Sequence, residues 1–414
     1  MFLARDKITY TVVLTVIYML ANFAEASTLA AEIESQRLNF QRCLTEKAEY
    51  ALSQGVKKER VELEFANLNF VPRVIELDRR QPEFISTFPD YFSKRVNQWR
   101  IDRGREKYAE HKALLDELTR RYGIPGHYLI SFWGLETNYG GYKGKMSTLD
   151  SLATLACDQR RSAFFTKELI LALKLMDREG LEKSTMIGSW AGAMGHTQFM
   201  PSSYTNYAID GDGDGRSDLW ESEKDALTSA ANFLHKLGWK AGLRWGREVK
   251  LPQNFDYSLA NSDTKSLSEW QALGILRTND EPLGTLDIMA KLIVPSGHEG
   301  PAFLAYDNFN VIKRWNNSEF YAIAVGRLAT RIRGGAGLFQ SLPKVSTFSI
   351  DKMAQIQGSL NKLGFNVGST DGIMGPATRD GIRQFQAANK LVADGFPSNE
   401  TLTLLETLAS NPNS

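Results

Sequence analysis

Apolar residues recur three and four positions apart over most of the chain, so the pattern predicts a mainly α-helical fold. From about residue 30 to 120, Leu38, Phe40 and Leu44 lead into Ala48 and Leu52, and the stretch from Arg100 to Arg121 mixes dense charge pairs with apolar residues at helical spacing. Ile124-Pro125-Gly126 reads as a turn that opens an apolar helix over 127–136, which stops near Asn138-Tyr139-Gly140-Gly141. Further helical patterns cover 164–177, 226–237 and 318–333. Between 245 and 305 the period changes: β-type runs such as Glu248-Val249-Lys250-Leu251 and Ala290-Lys291-Leu292-Ile293-Val294, separated by turn clusters, predict a small strand-rich insertion. Gly334, Gly335 and Gly337 begin a turn-rich stretch, and a linker is placed at 339–350. Three short helices follow, over 351–363, 378–389 and 399–408, with Gly364, Asp371-Gly372, Gly375-Pro376 and Asp394-Gly395 between them. A unit of roughly 60 residues can fold alone. No internal repeat is evident.

The first residues change the picture of where the chain works. Arg5 and Lys7 precede an apolar run over 11–24, followed by Glu25-Ala26. The run is shorter than the roughly 20 residues that span a bilayer, and Ala24 and Ala26 are small enough for a signal peptidase, so 1–26 reads as a secretory signal. An uncleaved anchor is the alternative. The 414 residues carry Lys+Arg 49 against Asp+Glu 48, a net charge of +1 that removal of 1–26 leaves unchanged. No whole-chain attraction to nucleic acid or anionic lipid follows from it. Export makes the two cysteines, Cys43 and Cys157, a structural disulfide, and their spacing excludes a CxxC redox or zinc site. The five histidines are scattered without paired-ligand spacing, which argues against a catalytic zinc.

Three stretches could carry chemistry. Glu136 ends the apolar helix, where neighbours such as Phe132 and Trp133 would desolvate it and raise its pKa. A glutamic acid protonated near neutral pH can donate to a leaving oxygen, as glycosidic cleavage requires. The alternative is a surface glutamate paired with Arg160 or Arg161. The second stretch, 188–204, alternates Gly188, Gly192 and Gly195 with small and aromatic residues. It would let a polymer approach closely, with Ser189, Gln198 and Tyr204 as hydrogen-bonding groups and Trp190 and Phe199 as stacking surfaces, or else serve as a helix-packing turn. The third, Asp210 to Glu221, fits an EF-hand loop: oxygens from Asp210, Asp212, Asp214, Asp218 and Glu221, the Arg216 carbonyl, and Gly215 at the turn. Ser217 stands where an aliphatic residue is common, and Asp225 is a rival distal ligand. An Asp/Gly turn held by its own backbone is the alternative to calcium.

With these motifs in order, the chain over roughly 30–335 resembles the membrane-bound lytic transglycosylase B family of bacterial murein-cleaving enzymes. The resemblance is carried by Trp133-Gly134-Leu135-Glu136-Thr137-Asn138-Tyr139-Gly140, by the run from Gly188 to Tyr204, and by Asp214-Gly215-Arg216-Ser217-Asp218-Leu219-Trp220. It implies a lysozyme-like α+β catalytic domain over 30–338 that cleaves the β-1,4 bond between N-acetylmuramic acid and N-acetylglucosamine. Glu136 would act as acid and then as base, the 2-acetamido group would assist departure, and a 1,6-anhydromuramoyl end would form without consuming water. No cofactor is needed for that chemistry, and calcium would be structural. The resemblance further implies substrate contacts from Ser189, Gln198, Phe199, Arg160, Arg161, Asn316 and Tyr321, with Tyr91 a weaker match. Trp315 and Phe233 stand where a tyrosine is common, so stacking would persist while a hydroxyl contact would be lost.

The C-terminal stretch over 351–410, with Ile356-Gln357, Asp371-Gly372-Ile373-Met374-Gly375 and Asp394-Gly395, resembles the three-helix peptidoglycan-binding module. The expectation is therefore a periplasmic, mainly helical enzyme. Its partners are peptidoglycan glycan strands and other cell-wall proteins, with no nucleic acid and no membrane span once the signal is removed. A wall scaffold that does not cut glycan is one alternative. A hydrolytic muramidase is another, and it would need a second carboxylate, for which Asp150 and Asp158 are nearest in sequence.

Overall fold

The structure, a computed structural model, describes residues 34–80, 86–260, 264–344 and 348–410. The export signal expected at 1–26 lies outside them. The chain divides into two compact units.

Among the described residues the first unit is formed by 34–79, by Gly144–Met194 and by Phe199–Thr205. It contains α1 (34–53), α2 (Lys58–Phe65), α3 (Pro72–Arg80), α8 (Thr148–Ala156) and α9 (Ser162–Glu179), with a two-stranded antiparallel sheet of β1 (Met146–Ser147) and β2 (Ile187–Gly188). Leu152, Leu169, Leu173 and Met176 bury the facing stripes of α8 and α9. Cys43 on α1 is bonded to Cys157 at the end of α8, closing a separation of 114 residues. Arg60 joins Glu64 and Asp177, both at 2.9 Å, and ties α2 to α9. α10 (Pro201–Tyr207) carries the chain onward.

The second unit holds the described residues within 80–143, 195–198 and 206–410. Its main core surrounds α7 (Gly126–Thr137), of which ten of twelve residues are buried. A helix apolar on all sides must be covered on all sides. That cover comes from α4 (Phe88–Arg95), α5 (Gln98–Glu110), α6 (Lys112–Tyr122), α11 (Glu223–Lys236), α13 (Asp307–Trp315) and α14 (Glu319–Ile332). The expected strand-rich insertion is a five-stranded antiparallel sheet in the order β4-β6-β7-β3-β5. Its strands are β3 (Gly246–Lys250), β4 (Lys265–Ser266), β5 (Leu276–Arg277), β6 (Met289–Ile293) and β7 (Ala302–Ala305), and α12 (Leu267–Ala272) follows β4 through a capping box of Ser266 and Glu269. Trp270, Leu292 and Leu304 fill the core beneath this sheet.

The stretch expected to be a linker does not hang free in its first part. The backbone N–H groups of Phe339 and Gln340 donate to the Glu248 carboxylate on β3 at 2.9–3.0 Å. After it come α15 (Ile350–Lys362), α16 (Pro376–Ala388) and α17 (Asn399–Ser410), packed around Leu360, Ile382 and Phe385. These helices carry a repeat that the sequence pattern hid. The Gln357 amide donates to Asp371, to the Ile373 carbonyl and to Thr378, and accepts from Gly372 N–H. The Gln386 amide donates to Asp394, to the Phe396 carbonyl and to Thr401, and accepts from Gly395 N–H. Each buried glutamine thus saturates its amide on an Asp-Gly turn. The loop between glutamine and turn differs in length, which masks the period. Among the described residues no helix is long and apolar enough to cross a membrane.

Candidate active site

The last turn of α7 is where the carboxyl chemistry collects. The chain turns sharply after Thr137, with Asn138 and Tyr139 both in the left-handed region (φ 52° and 60°). Such backbone is costly for residues with a Cβ and must be held by surrounding contacts. Arg100 on α5 holds it: its guanidinium donates to the Gly134 carbonyl at 3.0 Å, to Asn138 Oδ1 and to the Lys94 and Arg95 carbonyls, and the Tyr139 hydroxyl returns a bond to the Arg100 carbonyl. Thr137 Oγ1 donates to the His196 carbonyl, while Trp133 Nε1–H donates to His196 Nδ1 at 2.9 Å. Burial lowers the His196 pKa to about 4, so the ring stays neutral and free to accept. Gly134 leaves room for the Tyr139 ring, which a Cβ there would meet at 2.5 Å.

Glu136 keeps some surface, yet its carboxyl lies deep enough that desolvation dominates and raises its pKa to about 7. Tyr321 Oη donates to Glu136 Oε1 at 2.5 Å and Trp315 Nε1 donates to the same oxygen at 3.0 Å, and both bonds pull the pKa down, as does the Arg95 charge. Both donors sit on Oε1, which leaves Oε2 to carry the proton. The Tyr321 hydroxyl is pushed well above its usual pKa by burial and by the Glu136 charge, so it remains a donor. Trp315 ends α13 and Tyr321 lies in the first turn of α14, whose start is capped by Ser318 accepting from Tyr321 N–H. Phe132, one turn before Glu136, lies 4.6 Å from the Trp315 ring, and Phe233 lies 5.1 Å from it on another side, with Tyr207 stacked at 4.5 Å on Phe233.

Expected site residues fall into several places. Tyr321, Trp315 and Phe233 gather at Glu136. Trp315, expected to keep stacking while losing a hydroxyl contact, supplies an N–H in that role instead. Tyr91 lies beside Phe320, 6.0 Å between rings, with the Arg95 guanidinium over its face. Asn316 is exposed at the end of α13. Gln198 has φ 50° and donates to the Gly195 and Lys143 carbonyls. Ser189, in the first unit, accepts from its own turn at Ala191 N–H and Ala193 N–H. Phe199 requires a correction: it is only 2% exposed, so its ring is covered by protein and offers no face for a sugar to stack on. Arg160 and Arg161 both meet Asp78, which disposes of the reading that they neutralise Glu136. Asp150 accepts from Lys183 and Asn69 N–H, and Asp158 faces Arg79, so neither stands free as a second catalytic carboxylate. Arg100, which clamps the end of α7, was not among the expected residues. Its position in a charge-rich helix gave no hint that it is buried.

In the acidic loop, oxygens of Asp210, Asp212 and Asp214 come within 4.8 Å of one another, and this set of hard carboxylate oxygens suits calcium. Asp225 is fully buried and turned to the N–H groups of Gly211, Asp212 and Asp218, so it shapes the loop. Burial raises its pKa against those bonds. Glu221 is exposed, 3.6 Å from Lys143.

Comparison with known proteins resolves the family. A family model described as a transglycosylase SLT domain matches residues 39–330. The chain belongs to the SLT transglycosylase family. A model of the peptidoglycan binding domain matches residues 350–405. Among curated relatives of this SLT chain, the membrane-bound lytic murein transglycosylase B of Escherichia coli (strain K12) is 33% identical over 248 residues, which span 58% of this chain and 66% of that relative. Among solved structures, SltB3 from Pseudomonas aeruginosa in complex with NAG-anhNAM-pentapeptide is 39% identical with a TM-score of 0.84, covering 89% of this chain and 99% of that one. The Escherichia coli lytic transglycosylase Slt35 in complex with calcium is 28% identical with a TM-score of 0.59, covering 71% and 92%. The lysozyme-like, mainly helical architecture of the SLT family, with a small sheet and a C-terminal helical module, is therefore the architecture of this chain.

Proposed function

We propose that the chain is an exported lytic murein transglycosylase. It cleaves the β-1,4 bond between N-acetylmuramic acid and N-acetylglucosamine in peptidoglycan and leaves a 1,6-anhydromuramoyl end. The observation that carries this reading is Glu136, whose pKa near 7 keeps a proton available on Oε2 at neutral pH while two donors hold Oε1. Glu136 gives that proton to the glycosidic oxygen as the bond to C1 breaks. The resulting carboxylate is steadied by Tyr321 and Trp315 and takes the proton of the C6 hydroxyl as O6 bonds to C1. Protons balance and no water is consumed. Engagement of Asp150 and Asp158 in their own ion pairs supports this over hydrolysis. So does the solved relative from Pseudomonas aeruginosa, held in complex with an anhydro-muramoyl ligand.

In this reading Trp315 over Phe233 offers an aromatic wall for sugar beside Glu136, with Asn316, Gln198 and Tyr91 as polar groups for its substituents, and Ser189 of the first unit is a further hydrogen-bonding group for glycan. Arg160 and Arg161, which share Asp78 within the first unit, meet peptide or glycan carboxylates in this reading. The C-terminal helices hold the wall and raise the local concentration of glycan. The loop of Asp210, Asp212 and Asp214 binds a structural calcium that takes no part in the proton transfers. If so, chelator lowers Tm and added calcium restores it. No shift in either direction sinks the calcium assignment.

The decisive experiment is mass spectrometry of soluble products from purified sacculi incubated with the mature protein and with Glu136→Gln. Anhydromuropeptides from the wild type alone are expected. Reducing ends from the wild type would make it a muramidase, and no release by protein that still sediments with sacculi would make it a scaffold.

A further inference from the structure

A second cavity lies away from Glu136, where the C-terminal helices meet the sheet side of the same unit. It encloses about 740 Å³, within the range of sites for small organic ligands and short peptides. Its floor includes the first Asp-Gly turn of the repeat, from Gly372 to Pro376, which opens α16. Its opposite wall includes Lys291 on β6, Lys313 on α13 and the residues that start α14. The charge inside is one-sided. Lys291, Lys313 and Arg379 line the cavity, and among the described residues their side chains make no hydrogen bond or ion pair. Arg383 also lines it and is paired with Asp380, yet its Nε is buried without a partner. Glu319 is the single acid left to oppose the three free cations. The apolar part comes from Phe320, Phe348 and Phe396.

The two halves of the repeat differ in a way that bears on this cavity. In the second half, Asp394 Oδ2 is taken up inside the protein by His298, through its backbone N–H at 2.8 Å and Nδ1 at 2.7 Å. In the first half Asp371 Oδ2 accepts, among the described residues, only from the neighbouring Ser369 hydroxyl at 3.4 Å, and the turn from Gly372 to Pro376 opens on the cavity. Glycan alone would not use this surface. Its sugars are neutral once the lactyl group is amidated, whereas the attached peptides carry several carboxylates and small methyl side chains.

We propose that this cavity receives the stem peptide of peptidoglycan, with its carboxylates drawn to Arg379, Lys291 and Lys313 and its methyl groups against Phe320 and Phe396. The inference rests on the reading of the chain as a peptidoglycan enzyme and adds which part of the polymer it selects. The wall carrying Lys313 and Phe320 belongs to the same α13–α14 segment that delivers Trp315 and Tyr321 to Glu136. Peptide-bearing strands are therefore the preferred substrate.

The test uses the full mature chain, titrated calorimetrically with the tetrapeptide L-Ala-γ-D-Glu-meso-diaminopimelate-D-Ala and with the same peptide amidated at its carboxyls. Wild type binds the free acid, amidation weakens binding, and Arg379→Ala weakens it about 10-fold or more, the loss expected for one charge-assisted hydrogen bond. The ratio of kcat/KM on peptide-bearing strands to that on peptide-free glycan falls by a similar factor. Equal affinity for acid and amide, or unchanged affinity in a folded Arg379→Ala, overturns the proposal. If that variant does not fold, Lys291→Gln with Lys313→Gln gives the same readout from the opposite wall. Peptide binding without cleavage of either strand would instead overturn the enzymatic reading alone.

Discussion

A carboxyl that ionises near pH 7 inside a protein weakens the fold wherever it must be charged. Glu136 binds its proton in the folded chain up to about pH 7, against a reference value of 4.5. Between those values this carboxyl holds more protons in the native state than in the unfolded state, so its contribution to stability is fully present below pH 4.5 and is lost as pH rises toward 7. The rise from 4.5 to about 7 corresponds to about 3 kcal/mol. Glu136→Gln keeps an oxygen for Tyr321 and Trp315 but never pays this cost. The variant is therefore expected to be more stable than wild type at pH 8 by roughly that amount, with the gap closing toward pH 5. Calorimetric Tm at the two pH values checks it, and a pH-independent difference would mean that Glu136 ionises normally. Tyr321→Phe argues the same point from the other side. Losing a donor that favours the carboxylate raises the Glu136 pKa, so the fall in kcat/KM on the alkaline side moves to higher pH while the maximum rate drops. A pH profile on soluble glycan strands reads both, and an unmoved alkaline limb would separate Tyr321 from the acid.

At the scale of elements, the site depends on how one helix ends. Gly134, Asn138 and the Lys94 and Arg95 carbonyls all spend hydrogen-bonding capacity on Arg100, which is 6% exposed. Arg100→Ala leaves these acceptors facing a hole, and a loss of about 2–4 kcal/mol is expected. Activity should fall at temperatures where the variant is fully folded, because two consecutive left-handed residues then lose their clamp and Glu136 its position. Thermal unfolding with kcat at 20 °C tests this, and full activity in the folded variant would assign Arg100 to stability alone. Sequence periodicity located α7 and its end to within a residue, because a helix apolar on every face and a following Asn-Tyr-Gly-Gly are strong local signals. The clamp was illegible, since Arg100 sits among exposed charges that share its pattern. Trp315 was legible as an aromatic near the site, but its N–H bond spans 179 residues of sequence and is set by how α13 packs against Phe132 and Phe233. The sheet order was equally out of reach: alternation marked β3 and β6, while β7 lies between them through pairings no local pattern encodes.

On the scale of the whole molecule, the C-terminal helices are bound to the sheet side by a contact that titrates. His298 donates to Asp394, which raises the histidine pKa and, with the other bonds to that carboxylate, lowers the aspartate pKa despite its burial. The charged pair is complete between the two. As pH rises from 6.5 through the raised histidine value, the attraction fades to a neutral hydrogen bond; as pH falls through the depressed aspartate value, it is lost from the other partner. The backbone bond from His298 N–H is unaffected by the first change, so the contact weakens with rising pH without vanishing. A double-mutant cycle of His298→Ala and Asp394→Asn separates this from Glu136, whose destabilisation has the same sign but no coupling to either residue. The coupling energy is expected to be larger at pH 6 than at pH 9. A coupling that does not change would mean that the contact is neutral throughout and that the helices are held by apolar packing and the second Asp-Gly turn alone. A coupling that changes would mean that the placement of Arg379 opposite Lys291 and Lys313, and with it the shape of the second cavity, loosens as the medium becomes alkaline.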